Sequence, residues 1–207
     1  VLNYDNGITR GFAADAKGTV EFFSRQARPE NGVYLENGVI YRNGTKIMAA
    51  TDIRIPGVHN IENYMAAACA VEGLARDEDI DEVARTFAGV EHRIEFVREL
   101  DGVKYYNDSI ASSPSRTIAG LHSFHQKLVL IAGGYDKKIP FDVLGPEICA
   151  HVRLLILCGA TAEKIEAAVK NAPEYQPGQP GILRAQTLAE AVRLAKQYTV
   201  PGDIVTL

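Results

Sequence analysis

The sequence predicts an α/β chain in two parts. A β-rich first part carries a small meander and helices, and a doubly wound, mostly parallel sheet of Rossmann-like type follows. Three observations carry this. Residues 1–57 hold short apolar runs separated by Asp-Asn-Gly and Asn-Gly turns, the punctuation of tightly connected strands. From Ile94 onward, β-rich and helical patterns alternate, as they do where helices cover both faces of a parallel sheet. Between the two, Gly89-Val90-Glu91 marks the change of pattern as a hinge, so the expected domains are residues 1–90 and 91–207.

In the first part, Val1–Asn3 is an apolar strand stopped by Asp5-Asn6-Gly7, and Thr19–Ser24 is a second. Gly32–Glu36 and Val39–Arg42 flank Asn37-Gly38, the dipeptide of a type I′ turn. Asn43-Gly44 then leads into Thr45–Ala49, which completes a meander. Asn3 and Asp5 stand at a strand end, where they either close the turn or reach a ligand. Pro56-Gly57 breaks the chain, and Asn60 is the expected N-cap of a helix running to about Ala75. Asn63, three residues on, shares its face; one amide as a cap and the other as a surface residue is the plain reading. A second helix, about Ile80–Phe87, follows Asp77-Glu78-Asp79, whose charges suit the positive end of its dipole.

The second part reads as strands Ile94–Leu100, Val103–Asn107, Lys127–Ala132, Leu154–Cys158, Ile182–Arg184 and Asp203–Leu207. Its helices are about Pro114–Phe124, Phe141–Ala150, Ala162–Asn171 and Leu188–Gln197. Asp101-Gly102 makes the first strand pair an antiparallel hairpin. Ala172–Gly181, with three prolines, is a surface loop.

Composition excludes several classes. The 207 residues are 46% hydrophobic, enough for a sizeable core in one or two domains. A net charge of -4 carries no basic excess for nucleic acid. The apolar runs fall far short of the ~18 residues that a membrane span needs, and no signal peptide opens the chain. Cys69, Cys149 and Cys158 lie in apolar runs without metal-type spacing, so they are expected to be buried free thiols of a reducing cytosol. Val1 and Leu207 both read as lying inside strands, so a fragment of a longer protein is expected.

The residues with chemical potential gather between His92 and Lys137. Arg93 follows the hinge and offers a planar fork of donors for phosphate or carboxylate; alone, an arginine is more often a solvated charge. Asp108 ends a strand in Asn107-Asp108-Ser109, where it either shapes the turn or accepts from ribose hydroxyls. Ser113-Pro114 reads as N-cap and first helical residue, and free amides there also make an anion site. Gly133-Gly134 allows close backbone approach, with Lys137 adding charge to that loop. This glycine pair fits neither the phosphate-loop nor the dinucleotide spacing.

Taken in order, these stretches resemble the Mur ligases. The resemblance rests on Gly57-Val58-His59-Asn60-Ile61-Glu62-Asn63, His92-Arg93, Asn107-Asp108-Ser109 with Ala111-Ser112, and Gly133-Gly134-Tyr135-Asp136-Lys137. Gly202–Leu207 looks like the start of the strand leading to that family's last substrate loop. Asn-Asp-Ser points to the D-glutamate-adding branch, because sister ligases carry a histidine-containing loop there.

The resemblance implies a three-domain ATP-dependent amide ligase of peptidoglycan precursor synthesis, working through an acyl phosphate. Residues 1–90 would end its central ATP-binding domain, and 91–207 would form most of its carboxy-terminal, amino-acid-binding domain. ATP and Mg²⁺ would be cofactors, with the metal ligands outside this stretch. UDP-N-acetylmuramoyl-L-alanine and D-glutamate would be the substrates of a cytoplasmic monomer, and the stretch alone would be inactive. By the same resemblance Asn60 and Asn63 would meet the adenine side of ATP, Arg93 its phosphates and Asp108 its ribose. Ser112 and Lys137 would meet the D-glutamate carboxylate, and Arg93 and Lys137 are the expected catalytic residues. One departure stands out: Ile110 occupies the place of the lysine in the family's Asn-Asp-Ser-Lys run. Arg116, at N3 of the following helix, is a candidate to replace that charge; the alternative is a solvated surface arginine. Two rival readings are a non-catalytic nucleotide-binding α/β module and a doubly wound transferase sharing only the strand-end loops.

Overall fold

Asn37-Gly38 and Asn43-Gly44 adopt left-handed backbone at both positions of each turn in the computed structural model, which describes all 207 residues. They fold β3 (Gly32–Glu36), β4 (Val39–Arg42) and β5 (Thr45–Ala49) into the expected antiparallel meander. The chain divides into two units, Val1–Ala88 and Gly89–Leu207.

The meander is only part of the first sheet. β1 (Leu2–Asn3) and β2 (Phe22–Ser24) extend it in the order β1-β2-β3-β4-β5, and both of the pairings they add are parallel. A parallel pair needs a crossover, and the sequence reading missed the helix in it. α1 (Gly7–Gly11) and a 3₁₀ turn (Phe12–Asp15) bridge β1 to β2, with Asn6 Oδ1 capping the amides of Ile8 and Thr9. Neither helix buries a residue, so no apolar period betrays them. Asn3 and Asp5 close the strand end: Asn3 Oδ1 accepts from the Asp5 amide, and Asp5 accepts from Ser24 Oγ and the Arg25 amide.

α2 (Val58–Ala70) and α3 (Asp77–Thr86) pack on this sheet, with Met65, Ala68, Ile80 and Ala84 against Val33, Ile40 and Met48. Three expectations need correction. Gly57, not Asn60, is the N-cap, at φ +106°, so the break after Pro56 starts the helix three residues earlier. The helix also stops at Ala70, because the turn through Gly73 at φ +73° intervenes before Ala75. Asp77, Glu78 and Asp79 form the first turn of α3 itself, where the dipole favours them.

The second unit is the expected doubly wound sheet. Its strands are β6 (Glu95–Leu100), β7 (Val103–Asn107), β8 (Leu128–Gly133), β9 (Val152–Cys158), β10 (Gly181–Arg184) and β11 (Ile204–Thr206). They lie in the order β10-β9-β8-β11-β7-β6, parallel except for the β6–β7 hairpin. α4 (Pro114–Leu121), α5 (Leu144–His151) and α6 (Ala162–Lys170) cover one face, and α7 (Leu188–Tyr198) packs on the other. Strand periodicity divides the core accordingly. Leu128, Leu130, Leu155 and Leu157 face the three-helix layer, and Val129, Ile131, Leu154 and Ile156 face α7. The chain steps outward from β8 to β10 and returns to insert β11 between β8 and β7. That reversal is a topological switch point, where open α/β sheets bind ligands beyond the strand carboxyl ends.

All three cysteines are free; Cys69 and Cys149 are buried as expected, but Cys158, at the exposed end of β9, is only half-buried. No helix is long and apolar enough to cross a membrane.

Candidate functional site

A cavity of about 420 Å³ lies at this switch point, walled by residues after β7, β8, β9 and β11, among them Asp108, Ser112, Gly134, Lys137, Thr161 and Leu207. The loop after β8 leaves the sheet at Gly133, whose φ of +144° few other residues adopt. A Cβ there would stand 1.5 Å from the Cys158 carbonyl oxygen, so β8 runs this close to β9 only with glycine. The Gly134 amide then donates to that same oxygen, and Thr161 N–H donates to the Gly134 carbonyl.

The rest of this loop is braced by Asp136. Its carboxylate accepts from the Lys138 amide at 2.8 Å and from Lys164 Nζ, 2.5 Å away on α6. The Lys164 contact holds the Asp136 pKa below the ordinary carboxylate range. So fixed, the loop presents Lys137, whose Nζ donates to Ser112 Oγ at 2.8 Å. Ser112 immediately precedes Ser113-Pro114, the N-cap and first residue of α4. The Ser113 hydroxyl makes no cap bond and lies 3.3 Å from Ser115 Oγ, so side-chain capping does not quench this helix start. An ammonium, a hydroxyl and the positive end of a helix therefore converge, which is chemistry suited to a carboxylate or phosphate.

Asp108 is buried, at 7% exposure. Its Oδ1 accepts from the Ile94 amide at 3.1 Å. Burial pushes its pKa up, while the Ile94 amide and the charges of Arg93 and Arg116 pull it down. Arg93 is exposed and sits between His92 at φ +65° and Ile94 at φ +45°. The Ile110 amide donates to the His92 carbonyl, and Asn107 Nδ2 lies 2.8 Å from His92 Nδ1 and 3.3 Å from Glu95 Oε2. The Asn107–Ile110 loop thus clamps the turn that carries Arg93. Ile110 itself is 41% exposed.

In the first unit, Asn60 is buried with both ends of its amide engaged. Nδ2 donates to the Pro56 carbonyl at 2.6 Å and Oδ1 accepts from Asn63 Nδ2 at 3.2 Å. Asn63 is exposed and keeps its carbonyl oxygen for other partners. The structure therefore brings Asp108, Ser112 and Lys137 to one cavity, places Arg93 in the same unit within reach of the Asp108 charge but outside that cavity lining, and pairs Asn60 with Asn63 in the other unit. Sequence reasoning missed the Asp136–Lys164 brace, Thr161 and the left-handed turn at His92–Ile94. Asp136 stands two residues after Gly134 and so has a local signal in the glycine loop, but Lys164 has none.

The family pattern described as Mur ligase, glutamate ligase domain, matches residues 92–207. The chain belongs to the Mur ligase family. Arg93, Asp108, Ser112 and Lys137 fall inside the matched stretch of this Mur ligase, and Asn60 and Asn63 precede it. The chain is 52% identical over its whole length to a UDP-N-acetylmuramoylalanine--D-glutamate ligase of Acetivibrio thermocellus, of which it covers 46%. It is 49% identical to the enzyme of the same name from Clostridium beijerinckii, again over its whole length and 45% of that protein. The chain thus spans about half the length of the curated relatives it matches. Among solved structures, MurF of Acinetobacter baumannii aligns with the whole chain and 47% of its own, at TM-score 0.69 and 15% identity. Folylpolyglutamate synthase of Mycobacterium tuberculosis, complexed with ADP, aligns over 96% of this chain and 48% of its own, at TM-score 0.66 and 12% identity. These two share the fold.

The residues present suit parts of a nucleotide: exposed Asn63 can bond a base edge and exposed Arg93 a phosphate. They do not suit Mg²⁺. The metal-type cluster in the chain is His122, Glu147 and His151, and two imidazoles are a poor match for a cation that prefers oxygen ligands.

Proposed function

We propose that this chain is part of an ATP-dependent ligase that joins D-glutamate to UDP-N-acetylmuramoyl-L-alanine in peptidoglycan precursor synthesis. ATP supplies the phosphoryl group that activates the substrate carboxylate as an acyl phosphate, which the D-glutamate amine then displaces. Residues 1–90 are the end of the ATP-binding domain, and 91–207 most of the amino-acid-binding domain. Lys137 and Ser112 hold the D-glutamate carboxylate and so aim its amine, a positioning contribution worth much of the rate in such reactions. Arg93 meets the ATP phosphates, where its fork offsets charge. Asn63, held by Asn60, takes the adenine side, and Asp108 the ribose. Mg²⁺ is held by residues outside this stretch. The enzyme works as a monomer in the cytoplasm, where nucleotide-linked substrates are made, without nucleic-acid or membrane partners.

The observation that carries this reading is the 2.8 Å Lys137–Ser112 pair beside the uncapped start of α4, at the switch-point cavity. In the full-length enzyme, Lys137→Ala should raise the KM for D-glutamate more than that for ATP. Losing a charged hydrogen bond costs about 1.5–3 kcal/mol, roughly ten- to a hundred-fold in affinity. A larger rise in the ATP value would move Lys137 to the nucleotide and overturn the assignment.

A further inference from the structure

A second cluster of chemically capable side chains lies at the other edge of the same sheet. α4 and α5 pack side by side, and each runs from the cavity edge toward the strand amino ends. His122 follows the last residue of α4, Glu147 lies in the first turn of the short α5, and His151 is its last residue, just before β9 begins at Val152. The i, i+4 spacing stacks Glu147 and His151 on one helix face, and α4 brings His122 to them.

The three groups converge closely. His122 Nε2 lies 2.6 Å from Glu147 Oε2, and His151 Nε2 lies 3.6 Å from the same oxygen. All three ligand atoms are within 4.8 Å of one another, and the two ring centres are 4.7 Å apart with planes inclined by 54°. We propose that His122, Glu147 and His151 form a binding site for a zinc-class transition metal ion. A tetrahedral zinc with ligands at 2.0–2.1 Å sets neighbouring ligand atoms about 3.4 Å apart. The observed spacings straddle that value, and the side chains are a third to a half exposed, so small rotations regularise them. Two imidazoles with one carboxylate favour zinc over magnesium or calcium. The surface cleft beside them is lined by His125 and Gln126, with His125 or water available as the fourth ligand. Lys127, in the same cleft, donates to the Cys149 carbonyl at 3.2 Å, so its ammonium already has a partner.

A metal here ties the end of α4 to α5, two helices whose residues Thr117 and Leu144 line the candidate site. It is a structural staple, and it stands or falls independently of the ligase reading. The test titrates metal-free full chain with Zn²⁺ against a chromophoric chelator, for the wild type and for His122→Gln/His151→Gln. The wild type should bind one tight equivalent more than the double variant, and that equivalent should raise its melting temperature alone. His151→Gln by itself removes one of the three ligands and should clearly weaken the site, and it spares the short His122–Glu147 contact if the double variant folds poorly. Equal stoichiometry and affinity in wild type and variants would overturn the proposal. So would a wild-type site weaker than about 100 µM.

Discussion

Asp108 Oδ1 accepts the amide proton of Ile94 at 3.1 Å, and Ile94 is a buried β-branched residue held at φ +45°. That conformation is unfavourable for such a side chain and persists only where its surroundings impose it. Asp108 supplies the constraint, and the residue it thereby places is Arg93. Removing the carboxylate strands a buried N–H, which costs about 1–3 kcal/mol. Asp108→Ala should therefore lower the unfolding free energy in urea by that order, and Asp108→Asn, which keeps an acceptor, by much less. If the two variants lose stability equally, the Ile94 bond is not what Asp108 contributes.

The same carboxyl group gives a pH signature. Burial raises its folded pKa above the ordinary aspartate value of 3.8. In the window between the two values the folded state holds more protons than the unfolded state. This group's stabilising contribution is therefore full below the unfolded value and lost as pH rises through the folded one. Relative to the wild type, Asp108→Asn should gain stability as pH rises through that window. A carboxyl-carbon NMR titration should place the Asp108 midpoint above 3.8; one at or below it would refute the account.

The contrast between Asp108 and Lys137 shows what the sequence makes legible. The alternation of strands and helices after Ile94, the Asp101-Gly102 hairpin and the Ser113-Pro114 helix start are local signals, and the structure keeps each in the expected order, though Ile94 itself lies in a left-handed turn before β6 and α5 starts at Leu144 rather than Phe141. The convergence of the Asn107–Ser113 and Gly133–Lys138 loops also follows, because both leave the carboxyl edge of one parallel sheet. Long-range pairings were not legible. Asp136 meets Lys164 across 28 positions, and nothing near either residue announces the other. Asn60 misled for a related reason: its preference for caps is real, but Pro56-Gly57 had already set the helix start, which left the amide to bind Pro56 and Asn63.

Thiol chemistry should separate the three cysteines. Burial pushes the Cys69 thiol up to about 11, and burial also raises Cys149 and Cys158, though Cys158 is only half-buried. Since the thiolate is the nucleophile, a disulfide reagent at pH 8 should label Cys158 first and Cys69 last under native conditions. Rapid labelling of Cys69 without unfolding would show that its packing is looser than the core around Met65 and Ala68 indicates.

Arg116 bears on the lysine that the family resemblance implies at the position of Ile110. It is exposed, at N3 of α4, and an arginine there opposes the positive end of the helix dipole by a few tenths of a kcal/mol. A charge placed against its local preference points to a use elsewhere. Burial dominates the Asp108 pKa and raises it, and the Arg116 charge, like that of Arg93, works against that rise. Its charge therefore acts on Asp108, in the loop where the resemblance implies a lysine. Arg116→Gln should raise the Asp108 pKa further and reduce ligase activity in the full-length enzyme. Arg193→Gln, an exposed arginine on α7, should do neither. Equal activity in the two variants, with Asp108 unmoved, would make Arg116 an ordinary solvated arginine and Ile110 the mark of a site that works without that charge.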